Sequence, residues 1–428
     1  MRLKIILMSI GLGAAALAPA MARAGDVTCA ASSYHGLTCL TATGIKIFTR
    51  KSSPLPRDRI NLMTGCGDRI FFAVSKTIIA FDGVAWSKPM QAPHWVNHLA
   101  CRDKTLWISG GGKVSTNASG QWKTWGAKEI FVGVQGASTR AVAAGPKGTA
   151  WVVSNKTAVA LFNGSAWKLY KEGAGFDRRY PLAKVAVDRK GRPWLAGGYA
   201  LLALDGGTWK IVARPGATRF VQEGPQGNIW IGGGGLRVAV HTPGGSTKEF
   251  NLPYRPSGGA VDAKGRLWVA TRYGIGLWRN GKLDMRQMHN SMLADNNVQA
   301  IAVAGNGGAF PATITTKSAS VSGQLVWRDG AVIGKARVQL CGSPAPLRLV
   351  RKDRTPCQDL PFTFLTRADG DGKFRLDKVP AANYRVAVEG PETGKWVIIH
   401  IGRGRDRVAP GATHDFGKIR VSDTVRKK

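Results

Sequence analysis

Five stretches of this 428-residue chain repeat one pattern: a short apolar run, a turn usually holding Gly, then Trp and a second apolar run. The copies are Lys104-Thr105-Leu106-Trp107, Gly148-Thr149-Ala150-Trp151, Gly191-Arg192-Pro193-Trp194, Gly227-Asn228-Ile229-Trp230 and Gly265-Arg266-Leu267-Trp268. Their Trp positions lie 36 to 44 residues apart, the period of one four-stranded propeller blade. In a representative copy, Val185–Val187 reads as a strand and Asp188–Gly191 as a turn. Trp194–Ala196 begins a second strand, Ala200–Leu204 a third, and Asp205-Gly206 turns into a fourth at Trp209. Asp82-Gly83, Asn163-Gly164 and Asn280-Gly281 occupy the same slot, and such pairs favour two-residue hairpin turns.

One four-stranded meander cannot bury both its faces, whereas a radial array buries them against one another. Weaker copies at Leu37-Thr38-Cys39-Leu40 and Ile70-Phe71-Phe72-Ala73 bring the count to seven. Val298–Val303 then reads as a spare innermost strand that completes the first blade and closes the ring. The expected fold class is therefore all-β, a seven-bladed β-propeller. Eight blades are the alternative, because Ala309-Phe310-Pro311-Ala312-Thr313 echoes Trp268-Val269-Ala270-Thr271.

Two segments carry a family resemblance. Asp262–Thr271 with Tyr273–Leu277 resembles the repeat of two-component-regulator-type propellers. Gly224–Trp230, with Thr242–Gly245 and Glu249–Pro253, is similar to streptogramin (virginiamycin B) lyase repeats. Together these resemblances cover roughly residues 30 to 315. They imply the fold and leave the function open, since propellers host binding modules, sensors and enzymes. Beyond Thr315 the pattern changes to Val321–Val326, Asp329-Gly330, Gly334–Leu340, Thr366–Leu376 and Val379–Val388. That order resembles the carboxypeptidase-regulatory-like, transthyretin-like β-sandwich, a family that implies an accessory or carbohydrate-type binding module and brings no catalytic residues. The expected division is a signal peptide over 1–24, propeller over 25–315, C-terminal β-sandwich over 316–422 and basic tail over 423–428.

The signal expectation rests on Arg2 and Lys4, the apolar run Ile5–Leu17 and the small-residue site Ala22-Arg23-Ala24. It places the protein outside the cytoplasm, periplasmic or extracellular. No later stretch approaches the roughly 20 apolar residues of a membrane span. Six cysteines in an exported chain read as disulfides. Proximity and the matching repeat positions of Cys66 and Cys101 favour Cys29–Cys39, Cys66–Cys101 and Cys341–Cys357, among 15 connectivities.

The formal net charge of +35 points either to simple solubility or to a polyanionic partner. No His-Glu-x-x-His, Gly-x-Ser-x-Gly, phosphate loop or dinucleotide fingerprint occurs, so no catalytic residue, metal or cofactor is nominated. Asp369-Gly370-Asp371-Gly372 lacks the ligand count and distal Glu of a calcium loop. A lyase would need a His and a Glu near the ring axis; His289 is the best-placed His, with no Glu at a recognisable spacing. One constellation remains, in the connections from each outermost strand to the next innermost one. These carry Arg57 and Arg59, His94 and Trp95, Arg178, Arg179 and Tyr180, Arg219, Tyr254 and Arg255, and His289. Guanidinium groups grip carboxylate or sulfate while aromatic rings stack on sugars or bases. The expectation is a non-catalytic exported binding or scaffold protein whose partner is an anionic polysaccharide or envelope component. A lyase-type enzyme is the alternative and an extracellular nucleic-acid binder ranks last. The Arg403–Arg407 run and terminal Arg426-Lys427-Lys428 read as a solvated rim or as an extension of the same footprint.

Overall fold

The computed structural model describes residues 25–170, 182–197, 200–214, 216, 218–279, 281–342, 355–357, 362–399, 401 and 406–426. The expected signal segment, Arg178, Arg179, Tyr180, Arg403, Arg405, Lys427 and Lys428 lie outside them. The chain is all-β, and its first part consists of four-stranded antiparallel sheets. The first sheet is ordered Val298–Ala304, Val27–Ser32, Leu37–Thr41, Gly44–Phe48, and the second runs from Leu62–Cys66 to Met90–Gln91. The third starts at His98–Arg102, the fourth at Thr139–Ala144, the fifth at Leu182–Val187, the sixth at Thr218–Glu223 and the seventh at Pro256–Val261. Each of these first strands contacts the next, and Val298–Ala304 contacts both the seventh sheet and the second. The innermost strands thus form a closed circuit.

Apolar side chains explain the closure. Every core cluster of this region is shared between two neighbouring sheets. Ala73 and Ile78 of the second sheet pack with Leu99, Leu106 and Ile108 of the third, and Ala30, Leu40 and Val303 of the first pack with Trp268, Ile275 and Leu277 of the seventh. Each sheet buries its faces chiefly against its neighbours, with Ala381 of the C-terminal region joining the cluster between the seventh and first, so closure of the ring is what completes the core. The expected spare strand does pair with the chain's first strand, Cys29 opposite Ala302. Leu37–Thr41, however, is the third strand of its sheet, because Val27–Ser32 occupies the second slot. All three expected disulfides are present. Cys29 and Cys39 sit directly opposite on paired strands, while Cys66–Cys101 ties the second sheet to the third.

Two turn expectations need correction. At Asp82 and Asn163 the side chain accepts hydrogen bonds from the two backbone N–H groups beyond the Gly, Val84 and Ala85 or Ser165 and Ala166. These are longer Asx-type turns, with only Gly83 and Gly164 at positive φ. Residues 305–318 form no strand. They fill the seam between the last sheet and the first, where Phe310 meets Trp268 edge-on at 5.6 Å. A Cβ at Gly308 would collide with the Leu40 carbonyl, so only glycine fits that seam.

The seam segment leads to two further sheets. One orders Lys373–Val379, Ala319–Trp327 and Thr413–Val421, the last pair parallel. The other orders Thr363–Arg367, Arg337–Gly342, Ala382–Glu389 and Trp396–Ile399. Both contribute to one core containing Leu325, Val338, Phe374 and Tyr384. The Asp369 Oδ1 accepts from Lys373 N at 2.8 Å, which spends it on the hairpin turn. This C-terminal region rests on the loops of the seventh and first sheets: Arg407 Nε donates to the Ala294 carbonyl at 2.5 Å.

Candidate anion-binding site

Three successive first strands carry a basic residue near their beginning, in Thr139-Arg140-Ala141-Val142, Ala183-Lys184-Val185 and Thr218-Arg219-Phe220-Val221. These strands surround the ring axis, where a cavity of about 360 Å³ is lined by the first strands of all seven sheets. Lys184, Arg219 and His98 line it, together with Arg102 and Glu223. Arg140 is exposed and close enough to repel Lys184.

The end formed by the strands' C-termini is bridged. Arg102, last residue of its strand in the third sheet, reaches across to Glu223, last residue of its strand in the sixth, with Nη2 to Oε2 at 2.6 Å. Arg102 also donates to the Val187 and Asp188 carbonyls of the fifth sheet at 2.9 and 3.3 Å. The other Glu223 oxygen accepts from Arg189 N at 2.6 Å. Asp188 itself is fixed, because its carboxylate accepts from Lys190 N, Arg192 N and Trp194 Nε1. Asp262 clamps Trp268 in the same way in the seventh sheet. The Asp of this turn is therefore structural.

Among the described residues, the opposite end holds charge without counter-charge. Glu223 is the only carboxylate among the described residues that line the cavity, and no described carboxylate pairs with Lys184, Arg140 or Arg219. Burial, then Arg140 and Arg219, depress the Lys184 pKa below the usual lysine range. His98 is pushed down to about 3, first by burial and then by Lys184, with a hydrogen bond to the Val142 backbone acting the other way. Its Nδ1 is buried without a hydrogen-bond partner. The imidazole is neutral across the physiological range, so it offers a neutral polar group beside the cations.

The loop residues expected to bind divide into groups. Arg57 and Arg59 line a second cavity of about 390 Å³ that shares Asn61, Leu62 and Asn97 with the axial one. Arg57 Nη2 donates to Ser75 Oγ at 3.0 Å. Trp95 is 60% exposed. Its neighbour His94 is buried, with Nδ1 on the Trp95 carbonyl and Nε2 on Ser115 Oγ, both at 2.9 Å, so it braces the loop. Tyr254 stacks on Tyr273 at 4.4 Å, and Arg255 Nε donates to the Gly233 carbonyl at 3.3 Å. His289 packs edge-on against Phe362 of the C-terminal region at 4.7 Å. It belongs to the contact between the two regions and does not line the axial cavity. Arg178, Arg179 and Tyr180 fall outside the described residues. Lys184, Arg140, His98 and Arg102 lie within strands, which the sequence pattern reads only as apolar core. A basic residue recurring at one position of three otherwise apolar first strands was the available sign.

No family model matches the chain, and no curated protein matches it. Among solved structures, it is similar to a streptogramin B lyase structure at 14% identity and TM-score 0.49, over 58% of this chain and 88% of that one. A virginiamycin B lyase from Staphylococcus aureus is similar at 13% identity and TM-score 0.47, over 58% and 89%. The extracellular domain of the putative hybrid two component system BT4673 from B. thetaiotaomicron is similar at 11% identity and TM-score 0.47. In that last case the match spans 86% of this chain and 61% of the other.

Proposed function

We propose that this chain is an exported, non-catalytic binding or scaffold protein. In this reading residues 25–315 are a seven-bladed β-propeller, 316–422 a carboxypeptidase-regulatory-like β-sandwich and 423–428 a basic tail. It recognises an anionic glycan or cell-envelope component through the propeller face that gathers the loops between sheets. One observation carries this reading: Lys184 and Arg219 line the axial cavity, Arg140 lies close enough to repel Lys184, and among the described residues no carboxylate pairs with any of the three. Arg57, Arg59 and the exposed Trp95 extend the same surface. Like charges so placed disfavour the folded state, and an anionic ligand removes that cost.

The test is retention of the mature protein on immobilised acidic polysaccharide, neutral polysaccharide and DNA across a salt series. Saturable, selective retention on the acidic glycan, reduced by Arg219→Gln and by Arg57→Gln with Arg59→Gln, is the expected result. Equal, salt-erased retention on every polyanion would sink the reading. A lyase-type reading draws on the presence of His98 and Glu223 in one cavity. Glu223 is already held by Arg102 and Arg189, and His98 lies at the opposite end of its strand. Product release from the retained glycan would favour that alternative.

A further inference from the structure

We propose that the axial cavity is a closed-ended pocket for a compact oxyanion, a phosphate or sulfate ester group at the terminus of a ligand, held by Lys184, Arg219 and Arg140. The inference rests on the anion-recognition reading and deepens it, from a binding face to a specific group and its place.

Charge comes first. Lys184 and Arg219 line one end of the cavity, and Arg140 of the neighbouring sheet lies close enough to repel Lys184. The one lining carboxylate among the described residues is already bonded to Arg102 and to Arg189 N. Lys184 is the most enclosed of the three, and burial together with its two neighbours weakens its hold on a proton. An unpaired ammonium in such a place costs stability, so a core replaced by apolar side chains would be the cheaper solution. Retaining it makes sense where an anion completes the group.

Shape narrows the ligand. Donors approaching from the fourth, fifth and sixth sheets match an anion with oxygens pointing in several directions, whereas a planar carboxylate is best satisfied by a single guanidinium fork. A volume of about 360 Å³ lies at the small end of ligand pockets, enough for one sugar-sized unit. The Arg102–Glu223 bridge crosses the far end, so a ligand group entering from the loop side meets the cations first. A chain terminus satisfies that geometry and the middle of a polymer does not.

Binding is also coupled to a proton. Among the described residues the groups facing Lys184 are Arg140, Arg219 and His98, and none of these carries a negative charge. A bound oxyanion raises the depressed Lys184 pKa, so affinity falls as pH rises through the alkaline range. His98, neutral above about 3, contributes nothing to this dependence.

The experiment is calorimetry and thermal unfolding of the mature protein with sodium phosphate and sodium sulfate, against sodium chloride at matched ionic strength and sodium glucuronate. Saturable binding of phosphate or sulfate is expected, with Tm rising as ligand exceeds Kd. Lys184→Met should weaken it at least tenfold, and Arg219→Gln gives a second reading should Lys184→Met not fold. Lys248→Gln on an outer strand should leave it unchanged. Indistinguishable behaviour in phosphate, sulfate and chloride, stronger binding of glucuronate, or full affinity in folded Lys184→Met would overturn the inference. Polysaccharide retention that survives Lys184→Met would overturn it while leaving the face reading intact. Phosphate binding without polysaccharide retention would support it and remove the face reading.

Discussion

The two ends of the axial cavity both carry cations and reach opposite electrostatic outcomes. At the bridged end Arg102 meets Glu223 and two backbone carbonyls, and both side chains are largely buried at 21% and 10% exposure. At the open end Lys184 is repelled by Arg140 and Arg219, and among the described residues no acid pairs with any of the three. The contrast teaches that net charge alone says little about function. A cation whose donors are all spent is architecture, even on the axis of a ring. A cation held near others with its donors unspent is a place where a ligand is missing. The same distinction separates His94, fully bonded within its loop, from His98, whose Nδ1 has no partner.

Breaking the bridged end should give the largest effect. Glu223→Gln leaves Arg102 buried opposite a neutral amide, and removal of one partner of a buried pair costs about 3 kcal/mol. Denaturant unfolding should show that loss, and Arg102→Met combined with Glu223→Leu should recover most of it. An equal loss in the double variant would mean that the bridge's backbone contacts, and not its charge balance, hold this end together.

His98 sharpens the comparison through pH. Its folded pKa of about 3 lies below the ordinary histidine value, so the unfolded chain binds the proton more readily. The corresponding stability is present in full above about pH 6.5 and is lost as pH falls from there toward 3, by at most about 1.4 kcal/mol per pH unit. Other groups also titrate there, so the informative quantity is the difference between the native chain and His98→Phe. That difference should shrink as pH falls across this window, and a pH-independent difference would place the imidazole's proton uptake outside the folding equilibrium.

How far these features were legible depends on how local they are. The Trp period, the turn chemistry around Asp188 and the spare strand at Val298 are properties of short stretches repeated along the chain. They located the sheets and the ring-closing strand. The disulfides followed, since Cys66 and Cys101 occupy matching positions of consecutive sheets. The first sheet was placed one strand out because Val27–Ser32 carries no Trp or Gly-rich turn to mark it. The axial group was invisible to the same reasoning. Lys184, Arg140 and Arg219 are separated by dozens of residues, and only closure of the ring brings them together. His289 shows another kind of non-local contact: its ring meets Phe362 of the C-terminal region, a partner far away in the sequence.

Lys184→Met tests the open end from the stability side. Removing an enclosed cation repelled by two others should stabilise the ring by about 1 kcal/mol while abolishing oxyanion binding, the usual opposition of stability and function at a site. The sign is the diagnostic feature, being opposite to that of Glu223→Gln. A destabilised Lys184→Met variant would mean that this lysine is satisfied in the folded chain, and the contrast between the two ends would collapse.

The smallest effect belongs to Arg57, at the rim. It is exposed and its recorded hydrogen bond goes to the neutral Ser75 hydroxyl, so Arg57→Gln should change stability by no more than about 0.5 kcal/mol. Its contribution to a polyanion is long-range and screened, because the Debye length at physiological salt is about 8 Å. Retention of Arg57→Gln on acidic polysaccharide should therefore fall at low salt and match the native chain at high salt. The Lys184→Met deficit should persist across the whole series, because an enclosed pair is screened far less. If both variants lost retention in parallel with salt, rim and axis would act as one diffuse field, and the cavity would have no special role in recognition.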